Sequence, residues 1–91
     1  MDIGQAVRRL QSGDRVAREG WNGKNMYLVL VPGSEFVVAE DKPFGMADRD
    51  LVGKQVKYRP HVDMFTTQGD FVPWVCSQSD LLANDWEIYD G

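Results

Sequence analysis

The sequence is poor in the residues that do most enzymatic chemistry. It has one cysteine, Cys76, and one histidine, His61, in 91 positions. A lone cysteine cannot form an internal disulfide, so a reducing compartment, the cytoplasm, is expected. One His and one Cys cannot complete a closed zinc site, and Asp48 and Asp50 lack the spacing of a calcium loop. There is no glycine-rich phosphate loop of the Walker kind, no internal repeat and no low-complexity segment. The clearest apolar run, Met26–Val31, falls far short of the roughly 18 residues that would span a bilayer. Met1–Gln5 carries no basic region followed by an apolar one, so no secretion signal is expected. Positive charge is also short: 10 Lys and Arg against 14 Asp and Glu give a net charge of −4. That argues against a DNA or RNA polymer as partner, because such binding rests on a basic surface. A single small anionic ligand needs only a few cations at one place and remains compatible.

What is present reads as one α+β domain over residues 1–91. Asp2 and Gln5 form a capping box ahead of the stripe Ile3, Ala6, Val7 and Leu10, and Gly13 supplies a left-handed stop, which predicts a first helix over 2–10. Candidate strands lie at 15–18, 26–31, 36–39, 55–58, 61–67, 71–74 and 86–89, and five or six of them are expected to form a small antiparallel sheet. Residues 68–70 form a hairpin loop, and Pro73 marks an edge strand or a strand that is ending. Residues 40–53, with Pro43, Gly45 and Gly53, read as a long loop holding one helical turn. The unbroken apolar character of Met26–Val31 calls for cover on both faces, from the first helix and from another subunit.

Two stretches carry the binding inventory. Phe71–Trp86 changes from aromatic strand to short helix at about 78–83, and Ser77 with Asp80 has the spacing of a helix N-terminal box. Trp74 would then stand beside Ser77, Gln78, Ser79 and Asp80, a seat for a base or sugar with its phosphates. Arg18–Asn25 places Trp21 with Asn22, Asn25, Arg18 and Lys24 on one glycine-rich turn. Taken from the residues alone, each stretch has a plainer reading: both tryptophans fill the core, Ser77 caps a helix, and Asn22-Gly23 is an ordinary turn.

Val16-Ala-Arg-Glu-Gly-Trp-Asn-Gly-Lys24 with Met26-Tyr-Leu28, then Pro60-His-Val-Asp-Met64, Val72-Pro-Trp74, Ser77-Gln-Ser-Asp-Leu-Leu-Ala83 and Asp85-Trp86, resembles a family of small phage proteins, the second type of Thoeris anti-defence protein. The resemblance runs from the first helix to Trp86 and departs in residues 40–53 and at Val75-Cys76. It implies a sponge: a protein without catalytic residues or cofactor that binds a cyclic ADP-ribose-type signal in the host cytoplasm and keeps it from the effector. Some relatives also bind cyclic oligonucleotides (di- or trinucleotides) of another defence system at a separate site. It further implies a homotetramer with ligand sites between subunits, and places Trp21, Asn22, Lys24, Trp74, Gln78, Ser79 and Asp80 at the ligand. Chemistry adds Arg18 as a second source of positive charge and Ser77 as a phosphate donor. Two other readings stand beside it: an enzyme cleaving the same signal with Asp80 or His61 as acid or base, and a protein–protein module with tryptophan hot spots.

Overall fold

The first helix, α1 (Ile3–Gln11), begins where the capping box set it. The Gln5 amide donates to Asp2 Oδ1 at 2.8 Å, and the Asp2 amide donates to Gln5 Oε1 at 2.9 Å. Gly13, at φ +91°, closes the helix in the left-handed region. Ala6 and Leu10 are buried and Ile3 packs beside them, whereas Val7, expected on the same stripe, is turned toward solvent.

The computed structural model describes residues 1–21 and 23–91. After α1 come β1 (Val16–Arg18), β2 (Tyr27–Val31), β3 (Ser34–Val37), α2 (Pro43–Ala47), a 3₁₀ turn (Arg49–Leu51), β4 (Gln55–Tyr58), β5 (His61–Phe65), β6 (Phe71–Pro73), α3 (Gln78–Leu81) and β7 (Trp86–Ile88). The architecture is α+β, as the element pattern predicts. The main sheet is antiparallel with strand order β6-β5-β2-β1-β7. Pro73 therefore sits on an edge strand, where a missing amide costs no ladder bond. The main sheet has five strands, within the expected five or six, and β3 and β4 form a separate two-stranded ladder.

Period-two alternation gives β2 two different faces. Leu28 points under α1 and joins Ala6, Leu10, Val16 and Trp86 in the core. Tyr27 points the other way into a row of rings, 5.0 Å from Phe65 and 5.0 Å from Tyr89, with Phe65 in turn 5.1 Å from Phe71. The Arg15 guanidinium lies over both Tyr27 and Tyr89, at 4.9 and 5.0 Å.

Residues 34–58 stand off from the main sheet as an arm. Past the expected loop positions, the hairpin continues: Val38 N–H donates to Lys54 O, and Gly53 N–H donates to Val38 O, each at 2.9 Å. Residues 40–53 are thus more ordered than a loop, folding as α2 and the 3₁₀ turn over the hairpin end. Pro43 starts α2 at a position where its missing amide is harmless. Gly45 is buried against the Ala39 carbonyl, where a Cβ would not fit. The arm gives the chain extents of 45 × 26 × 24 Å and a radius of gyration of 16.2 Å. A rounder chain of this length would have about 12 Å.

Candidate ligand-binding site

The candidate site is organised by a tryptophan that neither binding stretch puts forward. Trp86, 2 % exposed, opens β7 and fills the space beneath α1. Trp21 meets it edge-on at 5.4 Å and Trp74 does so at 6.0 Å. Both outer indoles are half-buried. Each packs against the core and is only partly buried.

Beside the indoles lies a closed set of charges. Arg18 Nε donates to Asp85 Oδ1 at 2.8 Å and Arg18 NH1 donates to Asp80 Oδ1 at 2.9 Å. Asp85 also accepts from the Gly20 amide at 2.8 Å, which fixes the turn leading to Trp21. Trp21 Nε1 donates to Asp80 Oδ1 at 3.2 Å, and Trp86 Nε1 donates to the Asp80 backbone carbonyl at 3.0 Å. Ser77 caps α3, its Oγ accepting from the Asp80 amide at 3.0 Å. The Asp80 side chain does not turn back to that cap as the box spacing suggested; the guanidinium and indole N–H draw it across the chain instead. α3 is a single turn of four residues, so its dipole is weak, and any phosphate there would rest on hydroxyls and individual amides.

Protonation follows this geometry. Partial burial pushes the Asp80 carboxyl upward, but hydrogen bonds from Arg18, Trp21 and Ser77 outweigh it, and its pKa falls below the ordinary value. Hydrogen bonding from Arg18 holds Asp85 down as well, against a smaller effect of burial and with help from the Gly20 amide. The Arg18 pKa rises, through hydrogen bonds to Asp85 first and Asp80 second. A carboxylate depressed in the folded state stabilises it fully above its unfolded pKa near 4, and that contribution is lost as pH falls through the lower, folded value. The wild-type melting temperature should therefore drop as pH is taken from about 5 toward 2. Asp85→Asn should start lower at neutral pH and fall less steeply; acid limbs of equal slope would mean that the pair does not couple to folding.

The structure brings Arg18, Trp21, Ser77 and Asp80 into one bonded group and joins Trp74 to it through Trp86. Gln78 and Ser79 lie exposed on α3. Lys24 is exposed on the turn before β2, where Gly23 packs against Met26 and Thr67 too closely for any side chain. Asn22 lies outside the described residues. Asp85 and Trp86 are the members that residue-level reasoning missed; the only local signal was their adjacency after the apolar turn. His61 adjoins Val62, whose carbonyl accepts from the Trp74 amide at 3.0 Å, and its own Nδ1 lies 3.1 Å from Arg59 O and its Nε2 3.9 Å from Asp63. Cys76 makes a weak bond to Ser77 O at 3.5 Å, and burial followed by the Asp80 charge raises its thiol pKa. Among the described residues, no three His, Cys, Asp or Glu side chains converge to hold a metal. No described helix is long and apolar enough to cross a membrane. Two cavities, of about 320 and 300 Å³, lie away from this group, one at the root of the arm and one along α1.

The chain that folds around Trp86, with Arg18, Asp80 and Asp85 tying β1, α3 and β7 together, matches a known family in sequence. The Thoeris anti-defense 2-like domain matches residues 1–89, and the chain belongs to that family. Among its relatives is Thoeris anti-defense 2 of Bacillus phage SP01, 38 % identical over 88 residues, covering 97 % of this chain and 93 % of that protein. The protein is accordingly an anti-defence protein.

Proposed function

We propose that this protein is a phage sponge that works without catalysis, binding a cyclic ADP-ribose isomer in the host cytoplasm and withholding it from an immune effector. The observation that carries this reading is the half-buried pair Trp21 and Trp74 braced on Trp86 beside an acidic and hydroxyl-bearing rim, in a chain that matches the anti-defence family from end to end. An indole face can stack the adenine. Arg18 and Trp21 both donate to Asp80 Oδ1, and in this reading Oδ2 accepts from a ribose hydroxyl. Ser77, Gln78 and Ser79 suit the diphosphate and sugar. Arg18 is already matched by two carboxylates, which makes it a positioning residue and leaves Lys24 as the cation for the phosphates.

In this reading the site is completed by neighbouring subunits of a homotetramer. A cyclic di- or trinucleotide would need a separate site of its own. Trp21→Ala and Trp74→Ala test the stacking role. Each should weaken binding of a cyclic ADP-ribose isomer by about 1–3 kcal/mol, roughly 5- to 150-fold, in titration calorimetry. Circular dichroism should show both variants folded. Folded variants with undiminished affinity would make both rings packing residues only.

A further inference from the structure

We infer that Asp85 is a positioning residue of the binding site, holding the Trp21 ring in place through the Gly20 amide and through Arg18. The inference deepens the reading proposed above and rests on its placement of Trp21 at the ligand. One carboxylate reaches both ends of the turn. Asp85 Oδ2 accepts from the Gly20 amide at 2.8 Å, directly before Trp21, and Oδ1 accepts from Arg18 Nε at 2.8 Å. The Trp21 amide donates to Arg18 O at 3.2 Å and the Glu19 amide donates to Asp85 O at 3.1 Å, which closes the turn against β7. The approach requires glycine: a Cβ at Gly20 would stand 2.8 Å from Asp85 Oδ2.

Arg18 carries the same constraint to the far side of the ring. Its Nε, with NH2 at 3.5 Å, faces Asp85, and NH1 donates to Asp80 Oδ1. That oxygen then serves a second donor, the Trp21 indole N–H, at 3.2 Å. Without the Asp85 charge, the guanidinium would gain by turning two N–H groups onto Asp80, the bidentate arrangement that arginine and carboxylate favour. The indole would lose its acceptor and keep its edge contact with Trp86, a packing contact rather than a hydrogen bond. The Arg18, Asp80 and Asp85 side chains are 19, 13 and 30 % exposed, against 79 and 51 % for Lys57 and Glu35. Shielding of this degree lets the charges direct a neighbouring ring, which a fully solvated pair does not do.

Fluorine NMR of protein labelled with 5-fluorotryptophan reads the ring without any ligand, the Trp21 signal being assigned through Trp21→Ala. In Asp85→Asn, which keeps the size of the side chain and removes its charge, the Trp21 resonance should shift or split while Trp74 keeps its own. Gly20→Ala pushes the carboxylate away from the opposite side and should do the same, which keeps the test open if Asp85→Asn does not fold. Titration calorimetry with a cyclic ADP-ribose isomer reads the consequence for binding. Asp85→Asn should weaken binding roughly 3- to 30-fold when Trp21 is present, and less than about 2-fold in the Trp21→Ala background, as coupled neighbours do. Equal losses in both backgrounds, or a Trp21 resonance that neither variant moves, would overturn the proposal and leave Asp85 a stabilising residue of the fold. A wild type that binds no cyclic ADP-ribose isomer, with the Trp21 resonance still displaced in the variants, would overturn the ligand reading and leave the positioning of Trp21 by Asp85 standing.

Discussion

Replacing Trp86 with alanine is expected to destabilise the fold by about 3–5 kcal/mol, the usual cost of emptying a buried tryptophan site. Small domains hold roughly 5–15 kcal/mol in total, so this one change would remove a large share. The reason lies in how many elements meet on this indole. Its faces and edges receive Trp21 from the turn after β1 and Trp74 from the end of β6, while α1 closes over it through Ala6 and Leu10. Its Nε1 also holds the Asp80 carbonyl, which anchors α3. Trp86→Phe should retain much of the packing and lose the hydrogen bond, a change nearer 1 kcal/mol from that bond alone, plus some lost contact area. Urea titrations at one fixed protein concentration would measure both variants, so that the proposed assembly weighs equally on each. A loss below about 1 kcal/mol for Trp86→Ala would mean that the core is organised elsewhere.

The same residue shows where sequence reasoning reaches its limit. Local chemistry was legible: Asp2 and Gln5 cap α1, Gly13 ends it, Ser77 caps α3, and residues 68–70 turn β5 into β6. These depend on neighbours a few positions apart. The bonds that build the site join Arg18 to Asp80 and Asp85 across 62 and 67 positions, and no periodicity encodes such a pairing. The spacing from Ser77 suggests a box at Asp80, whereas its carboxylate bonds the Trp21 indole and the Arg18 guanidinium. The arm was hard to read for a different reason. Its apolar residues alternate with charges and glycines and bury almost nothing within the chain, so the burial pattern that marks an element is missing. Pro43 was the one local sign of α2, as a proline in a first helical turn. Strand β3 begins two residues earlier than its apolar run suggested, because Ser34 and Glu35 pair with Tyr58 and Lys57 whatever their polarity.

The sponge account makes its largest claim about the fate of the signal. A protein that only withholds a molecule must bind it more tightly than the effector does and return it intact. Cys76 has a thiol pKa raised by burial and by the Asp80 charge, and His61 is turned to the Arg59 carbonyl and toward Asp63. Asp80 is held ionised by Arg18 and Trp21, which suits an acceptor of hydrogen bonds and not a general acid. With protein in excess over a cyclic ADP-ribose isomer, free signal should fall nearly to zero. The deciding measurement is liquid chromatography of the supernatant after the mixture is heated to unfold the protein, at protein-to-ligand ratios above and below one. The account predicts that all of the signal returns chemically unchanged, and that the amount withdrawn before heating never exceeds the number of sites. A new product that accumulates with time at low protein, with no signal recovered on heating, would contradict it and make the protein an enzyme.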